Sequence, residues 1–340
     1  MNVEFEDVIA EVDDVDIVVP RPDRLSSLTF RVLCGAAMRQ PASSRLSPGF
    51  RAEGGPLGQD LAVAIVSSLA GLVALNSVRG WRREVGKAVC VLREAWTLDL
   101  HKVRGAVTLL NQFDHVFCEY AQSVDALQSL IEVPCTYLAT GIDTVRFSPL
   151  PHLPARSVDV FNVGRRVGEV HEALMAERDR SGLFYYFTTV RPTEVWDPVE
   201  HRLLFADILK RSRYSLVKRA KFGFSDQQEI GFRYFEGAAA GAVLVGDKIA
   251  NEAFPRLFDW QDAVVETADA EVVDRIRELD EQPERVAAIR RENVVQMLRR
   301  HDCAYRWEEI LRTVGLSPLP GLEERLRRLE ALADRAERVL

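Results

Sequence analysis

The stretch that most constrains this chain is Gln228–Asp247, QEIGFRYFEGAAAGAVLVGD. Glu229 through Ala240 is free of proline and rich in alanine, which predicts a helix. Gly241 stands where a left-handed helix exit belongs, and Ala242–Val245 is too short and too apolar for anything but an inner strand. At about 100° per residue, Glu229, Arg233, Glu236 and Ala240 fall within roughly 60° of one another on that helix. Phe232, Phe235 and Ala239 form the adjoining apolar stripe. Two carboxylates and a guanidinium on one edge also describe an ordinary surface ion pair at i,i+4. The small residues beside them, and the core strand that follows, favour a buried functional edge instead.

A helix feeding an inner strand belongs to an α/β chain, and the rest of the sequence keeps that rhythm. Leu61–Val66 reads as strand and 69–83 as helix. Lys87–Leu92 is a strand, followed by helix over Val103–Gln112. His115–Cys118 and Thr136–Leu138 are strands with a helix, Ser123–Ile131, between them. Asp16–Pro20 is a short apolar run suited to a first strand, and residues 39–60, with their Gly, Pro, Ser and Arg, read as loop. Further on, Val158–Val163, Phe184–Thr189 and Tyr214–Val217 read as strands, and 270–279 and 282–299 as helices. Such alternation predicts parallel sheets covered on both faces, with ligands at the carboxyl ends of the strands. At 340 residues there is length for two such domains. Gly141–Pro149, with Pro151 and Pro154 behind it, reads as the linker.

Composition narrows the function. A net charge of −7 argues against a nucleic-acid partner, which needs a basic field. Five dispersed cysteines without a C-x-x-C fit buried reduced thiols rather than a disulfide framework or a zinc site. The six histidines lack metal-ligand spacing. No basic n-region with an apolar core opens the chain, and the apolar run Leu61–Leu75 is shorter than the ~20 residues that span a bilayer. The expectation is a cytoplasmic protein with no transmembrane segment. Neither a phosphate-binding G-x-x-x-x-G-K-[ST] nor a G-x-G-x-x-G is present.

Two motifs together carry a family resemblance. Arg233-Tyr234-Phe235-Glu236 followed by Gly237–Gly241 resembles the donor-binding helix of group 1 glycosyltransferases of GT-B architecture, most closely the subgroup related to spore-maturation glycosyltransferases. Gly141-Ile142-Asp143-Thr144-Val145-Arg146-Phe147-Ser148-Pro149 resembles the interdomain signature of the same family, about 80 residues upstream. The segment His301-Asp302…Arg306-Trp307…Ile310-Leu311 resembles its closing helix, so the likeness runs over roughly residues 135–315. The resemblance implies two Rossmann-like domains facing across a cleft: 1–150 for the acceptor, 151–317 for the nucleotide-sugar donor, then an amphipathic helix over 318–340. That helix, with Leu322, Leu326, Leu329 and Leu332 at helical spacing, is expected to pack on its own chain or to pair with a second copy in a homodimer.

The implied activity is transfer of a hexose, with retention, from a UDP- or GDP-linked donor to an acceptor the sequence does not identify, with no metal or other cofactor. A GT-B nucleotide-sugar 2-epimerase, a phosphorylase and a degenerate, non-catalytic nucleotide-sugar-binding or assembly protein are the alternatives. A ribose diol needs a bidentate acceptor, and Glu236 is the candidate. The family spaces its two glutamates by seven residues, whereas Glu229 and Glu236 have six between them. Gln228 has the spacing and Glu229 the chemistry for the first acidic position. Candidates for the diphosphate are Arg165 and Arg166 at one strand end and Lys218 and Arg219 at another, with Arg233 on the helix edge. Gly231 and Phe232 complete the expected donor contacts. The family's lysine a few residues after the first arginine has no counterpart here. For catalysis the candidates are Arg165, Glu229 and Glu94, the last at the carboxyl end of a first-domain strand, where it would orient or deprotonate an acceptor hydroxyl. Asp99, His101 and Glu119 are weaker candidates of the same kind.

Overall fold

The structure is a computed structural model. It describes residues 2–21, 32, 35–43, 45, 47, 58–78, 80–164, 167–188, 197–219 and 226–340. Its regular elements are helix α1 (Asn2–Val12), strand β1 (Gln59–Val66), α2 (Leu69–Leu75), β2 (Val85–Leu92), α3 (Thr97–Leu100), α4 (Arg104–Leu109), β3 (His115–Cys118), α5 (Val124–Gln128), β4 (Cys135–Tyr137) and α6 (Thr144–Phe147). There follow β5 (Val158–Val163), α7 (Gly168–Ser181), β6 (Tyr185–Thr188), α8 (Pro198–Lys210), β7 (Ser212–Val217), α9 (Phe232–Ala239), β8 (Val243–Gly246), α10 (Phe254–Leu257) and β9 (Val265–Glu266). Three long helices end the chain after α11 (Val272–Asp280): α12 (Pro283–Arg300), α13 (Cys303–Val314) and α14 (Pro320–Val339).

The fold class is α/β, as the alternation predicts. β1 to β4 form one sheet in sequence order, and β5 to β9 form a second in the order β6-β5-β7-β8-β9; every pairing is parallel. The inner strands read as unbroken apolar runs because both of their faces are covered. Val89, Val91 and Phe117 pack on one side of the first sheet, and Ala88, Cys90, Leu92 and Val116 on the other. The second sheet reverses its winding between β5 and β7, and such a reversal opens a crevice at the carboxyl ends of those two strands. Two glycines are required there by backbone geometry. Gly164 leaves β5 at φ +111, and Gly246 ends β8 at φ +145, where a Cβ would lie 2.0 Å from the Val217 carbonyl oxygen.

Several expectations need correction. Asp16–Pro20 is not a strand: the segment has no regular structure, and Ile17 and Val19 are about half exposed, since it pairs with no strand among the described residues. The N-terminal stretch is a helix instead, with Phe5, Val8, Ile9 and Val12 buried at helical spacing. The helix predicted over 229–240 starts only at Phe232, so Glu229 stands outside it. Its exit is as expected, with Gly241 at φ +66.

The chain's last helices return to the first sheet. α1, α13 and α14 lie in one apolar cluster with β2 and β3, and Leu322, Leu329, Ala333 and Ala336 of α14 are buried in it. The apolar face that was a candidate for pairing with a second copy is therefore spent within the chain. Among the described residues, no helix is long and apolar enough to cross a membrane.

Candidate functional site

At the carboxyl end of β5, beside its pairing with β7, α9 brings in Arg233. This guanidinium is fixed on three sides. Nε donates to the Val163 carbonyl at the end of β5 (3.0 Å), Nη1 donates to Glu236 Oε2, and the group lies 4.5 Å from the centre of the Phe205 ring. Nη2 is left facing Gly164, 4.0 Å from where a Cβ would stand. Gly231, the residue before the helix, is open on the side where a Cβ would project. A fixed guanidinium edge next to the free N–H groups of a helix start is an arrangement that receives anions. Arg165 and Arg166, the other cations expected at this strand end, lie outside the described residues.

Glu236 is wholly buried, and neither oxygen is free for a ribose diol. Oε1 accepts from Arg202 Nη2 (2.6 Å) and Oε2 from Arg233. Burial alone would raise its carboxyl, but Arg233 and Arg202 outweigh burial and hold it below the ordinary glutamate range. The bidentate acceptor that the sequence suggested is present, but its two partners are arginines. Arg202, on α8, was missed, since nothing in a sequence pairs a residue with one 34 positions downstream on another helix.

The segment before α9 fastens the two sheets together. Gln227 Oε1 accepts from the N–H and hydroxyl of Thr97 (both 2.9 Å), and its Nε2 donates to Ser123 Oγ and Glu229 Oε1 (both 2.8 Å). Glu229 accepts from the N–H groups of Ala121 (3.1 Å) and Gln122 (3.2 Å), in the turn after β3. Gln228 bonds on both sides, its N–H donating to Gln122 Oε1 (2.7 Å) and its Oε1 accepting from Ala250 N–H (3.3 Å). Residues 227–229 thus bind the carboxyl-end loops of the first sheet, and neither Gln228 nor Glu229 shares the edge of Arg233 and Glu236. Burial drives the Glu229 carboxyl up to about 7, against the opposing hydrogen bonds from Gln227, Gln122 and Ala121.

Lys218 follows β7 as expected, but its ammonium is already paired with Asp247 (3.2 Å) and with Asp269. Arg219 is exposed, and its N–H donates to Asp247 Oδ2 (3.3 Å). These two residues form a cluster of their own rather than joining Arg233 and Glu236 in ion pairs.

At the carboxyl end of β2, Glu94 is exposed and accepts from the indole N–H of Trp96 (2.7 Å); that ring meets Tyr120 edge-on at 5.0 Å. Its neighbour Arg93 is buried between Phe5 and Phe232, at 5.6 and 5.4 Å from the ring centres. Glu119 is buried 3.8 Å from Arg93, with its carboxyl raised by burial and accepting from Thr140 Oγ1 (3.2 Å). Asp99 pairs with Lys102 at 2.7 Å, and His101 is exposed. Phe232 therefore links the start of α9 to the first sheet through Arg93, a contact absent from the sequence reading.

Residues 189–312 match a family model described as "Glycosyl transferase-like". No curated protein sequence matches the chain. Among solved structures, HepE from Anabaena in complex with UDP-glucose aligns at 15% identity and TM-score 0.47, covering 86% of this chain and 84% of that one. An alpha-glucosyltransferase in complex with UDP and a 13-mer DNA containing a HMU base aligns at 12% identity and TM-score 0.44, covering 75% and 80%. TarM aligns at 12% identity and TM-score 0.46, covering 74% of this chain and 54% of its own, so the chain spans about half of that protein. The second half of the chain is thus similar to a glycosyl transferase-like domain, carried by the second of two parallel, Rossmann-like sheets.

Proposed function

We propose that the chain is a GT-B glycosyltransferase of the group 1 type that moves a hexose from a nucleotide-sugar donor to an acceptor, with retention, in the cytoplasm. The donor half is taken as 151–317 and the acceptor half as 1–150. The observation that carries this reading is the Arg233 guanidinium, held on three sides with its last nitrogen open at the end of β5, beside the start of α9. A nucleoside diphosphate leaving group gains negative charge as the sugar departs, and a cation already fixed there stabilises that charge without reorganising. Arg165 and Arg166 are proposed to join it, so that cationic side chains rather than a metal balance the diphosphate. Glu94 is proposed to orient the acceptor hydroxyl, being an exposed carboxylate at the carboxyl end of β2.

The experiment is a calorimetric titration with UDP, GDP, ADP and dTDP, repeated on Arg233→Ala and Glu236→Ala. One nucleotide should bind the intact protein, with affinity reduced about tenfold or more in Arg233→Ala, the loss of one charge-assisted contact. Binding of none of the four would sink the transferase reading. A non-catalytic nucleotide-sugar-binding protein is the second reading, favoured by the pairing of Lys218 and of both Glu236 oxygens inside the protein. It predicts binding with no turnover of the cognate nucleotide sugar across an acceptor screen.

A further inference from the structure

The ion pair at Arg233 is the end of a buried chain of alternating charge that starts on the N-terminal helix. Glu4 of α1 accepts from Arg202 twice, through Nε at 2.8 Å and Nη2 at 3.2 Å. The same Nη2 donates to Glu236 Oε1 at 2.6 Å, and Glu236 Oε2 accepts from Arg233. Glu4, Arg202 and Glu236 are each at least nine-tenths buried. The Arg202 guanidinium lies 5.1 and 5.0 Å from the ring centres of Phe147 and Phe205, and the Phe205 ring also carries Arg233. We propose that Arg202 is a positioning residue for the donor phosphates: gripped by Glu4, it fixes Glu236, which fixes the open edge of Arg233 at the end of β5.

This inference rests on the donor-site reading above. Without Arg202, one oxygen of the wholly buried Glu236 would be left without a partner. The carboxylate would be free to turn, loosening the i,i+3 pair to Arg233 and leaving the Val163 carbonyl and the Phe205 ring as the arginine's fixed contacts. A planar fork is needed for the task, since one side chain must serve two carboxylates along different edges. The N-terminal helix thereby becomes part of the donor site although Glu4 itself faces no ligand.

The test compares the nucleoside diphosphate that the intact protein binds with the matching nucleoside. Calorimetry measures the first and ligand-observed NMR the second, on the intact protein, Arg202→Gln, Arg202→Lys and Glu4→Gln. A residue that only holds helices together would weaken both ligands alike, whereas a misplaced Arg233 is felt by the phosphates alone. Arg202→Gln should lose tenfold or more in diphosphate affinity with less than a twofold change for the nucleoside. Arg202→Lys keeps a cation between the two carboxylates and is the variant to read if the glutamine variant does not fold; it should lose several-fold on the same ligand only. Glu4→Gln should move in the same direction by a smaller factor. An unchanged ratio of the two affinities in Arg202→Gln or Arg202→Lys, whether neither ligand weakens or both do, overturns the positioning role. If the intact protein binds none of UDP, GDP, ADP and dTDP, the functional reading itself is overturned, and the inference falls with it.

Discussion

Glu229 shows how far one residue's chemistry departs from its place in a motif. Its carboxyl is almost wholly removed from water and accepts only two backbone N–H groups and one amide, so its ordinary value of 4.5 is raised to about 7. In the unfolded chain the group loses its proton near 4.5; in the folded protein it keeps it until near 7. Between those values the folded state binds more protons, so this residue's contribution to stability falls as pH rises through that window. The total is on the order of 3 kcal/mol. Glu229→Gln removes the charge and keeps one of the two acceptor oxygens, at the loss of one backbone hydrogen bond that does not vary with pH. Its stability relative to the parent should rise by about 1–3 kcal/mol between pH 5 and pH 8 in urea unfolding; parallel pH curves for the two proteins would rule the account out. The sequence displays Glu229 and Glu236 as two carboxylates near a guanidinium, and that much was legible. Their fates were not, because Ala121, Gln122 and Arg202 reach them through tertiary packing from other elements.

Helix α9 shows why elements are more legible than their ends. Phe232–Ala239 is helical because its apolar face meets β7, β8 and α12, and a buried face dominates the free energy of so short a helix. The residues before it are better used elsewhere, with Glu229 and Gln227 satisfying donors on the first sheet, and the chain enters the helix from an extended Gly231. Gly237 tests the packing on the sheet side. In an exposed helix, Gly→Ala gains about 1 kcal/mol. Here the added Cβ would lie 2.5 Å from Leu244 Cδ2 and 3.2 Å from Ser215 Oγ, so Gly237→Ala should instead cost about 1–3 kcal/mol in urea unfolding. A stabilised variant would show that β7 and β8 leave more room than the structure gives. Inner strands were readable as apolar runs because both faces are covered. α1 was missed although Phe5, Val8, Ile9 and Val12 stand at helical spacing, since its acidic residues dominate a composition-level reading. Asp16–Pro20 was misread for the opposite reason: an apolar run becomes a strand only if a neighbour pairs with it.

At the scale of the molecule, the linker that looked like a boundary is tied to the closing helices of the chain. Ile142 forms a parallel bridge with Asp302, and Asp302 accepts from the N–H (2.9 Å) and hydroxyl (2.7 Å) of Thr144 while capping α13 through Ala304 N–H (2.9 Å). Arg325 on α14 completes the tie. It donates to both Asp302 oxygens (2.9 and 3.0 Å), to Asp143 Oδ1 (2.9 Å) and to Glu11 Oε2 on α1 (2.5 Å). One guanidinium thus joins the linker, the closing helix and the N-terminal helix, alongside the apolar face of α14 and the pairs that Arg299 makes with Glu330, Asp334 and Glu337. Amphipathic spacing predicted that α14 would cover something; only the placement of Arg325 says what. Removing one side of a buried ion pair strands the charges left behind, which typically costs about 3–5 kcal/mol. Asp302 is wholly buried and would lose its cation in Arg325→Ala, whereas Asp143 would keep Arg146 at 3.2 Å. The variant should therefore unfold in urea with a loss of that order, while Arg328→Ala, an exposed neighbour 3.5 Å from Glu11, should change stability by about 0.5 kcal/mol or less. Equal, small effects of the two substitutions would mean that the apolar face of α14, rather than Arg325, holds the linker in place.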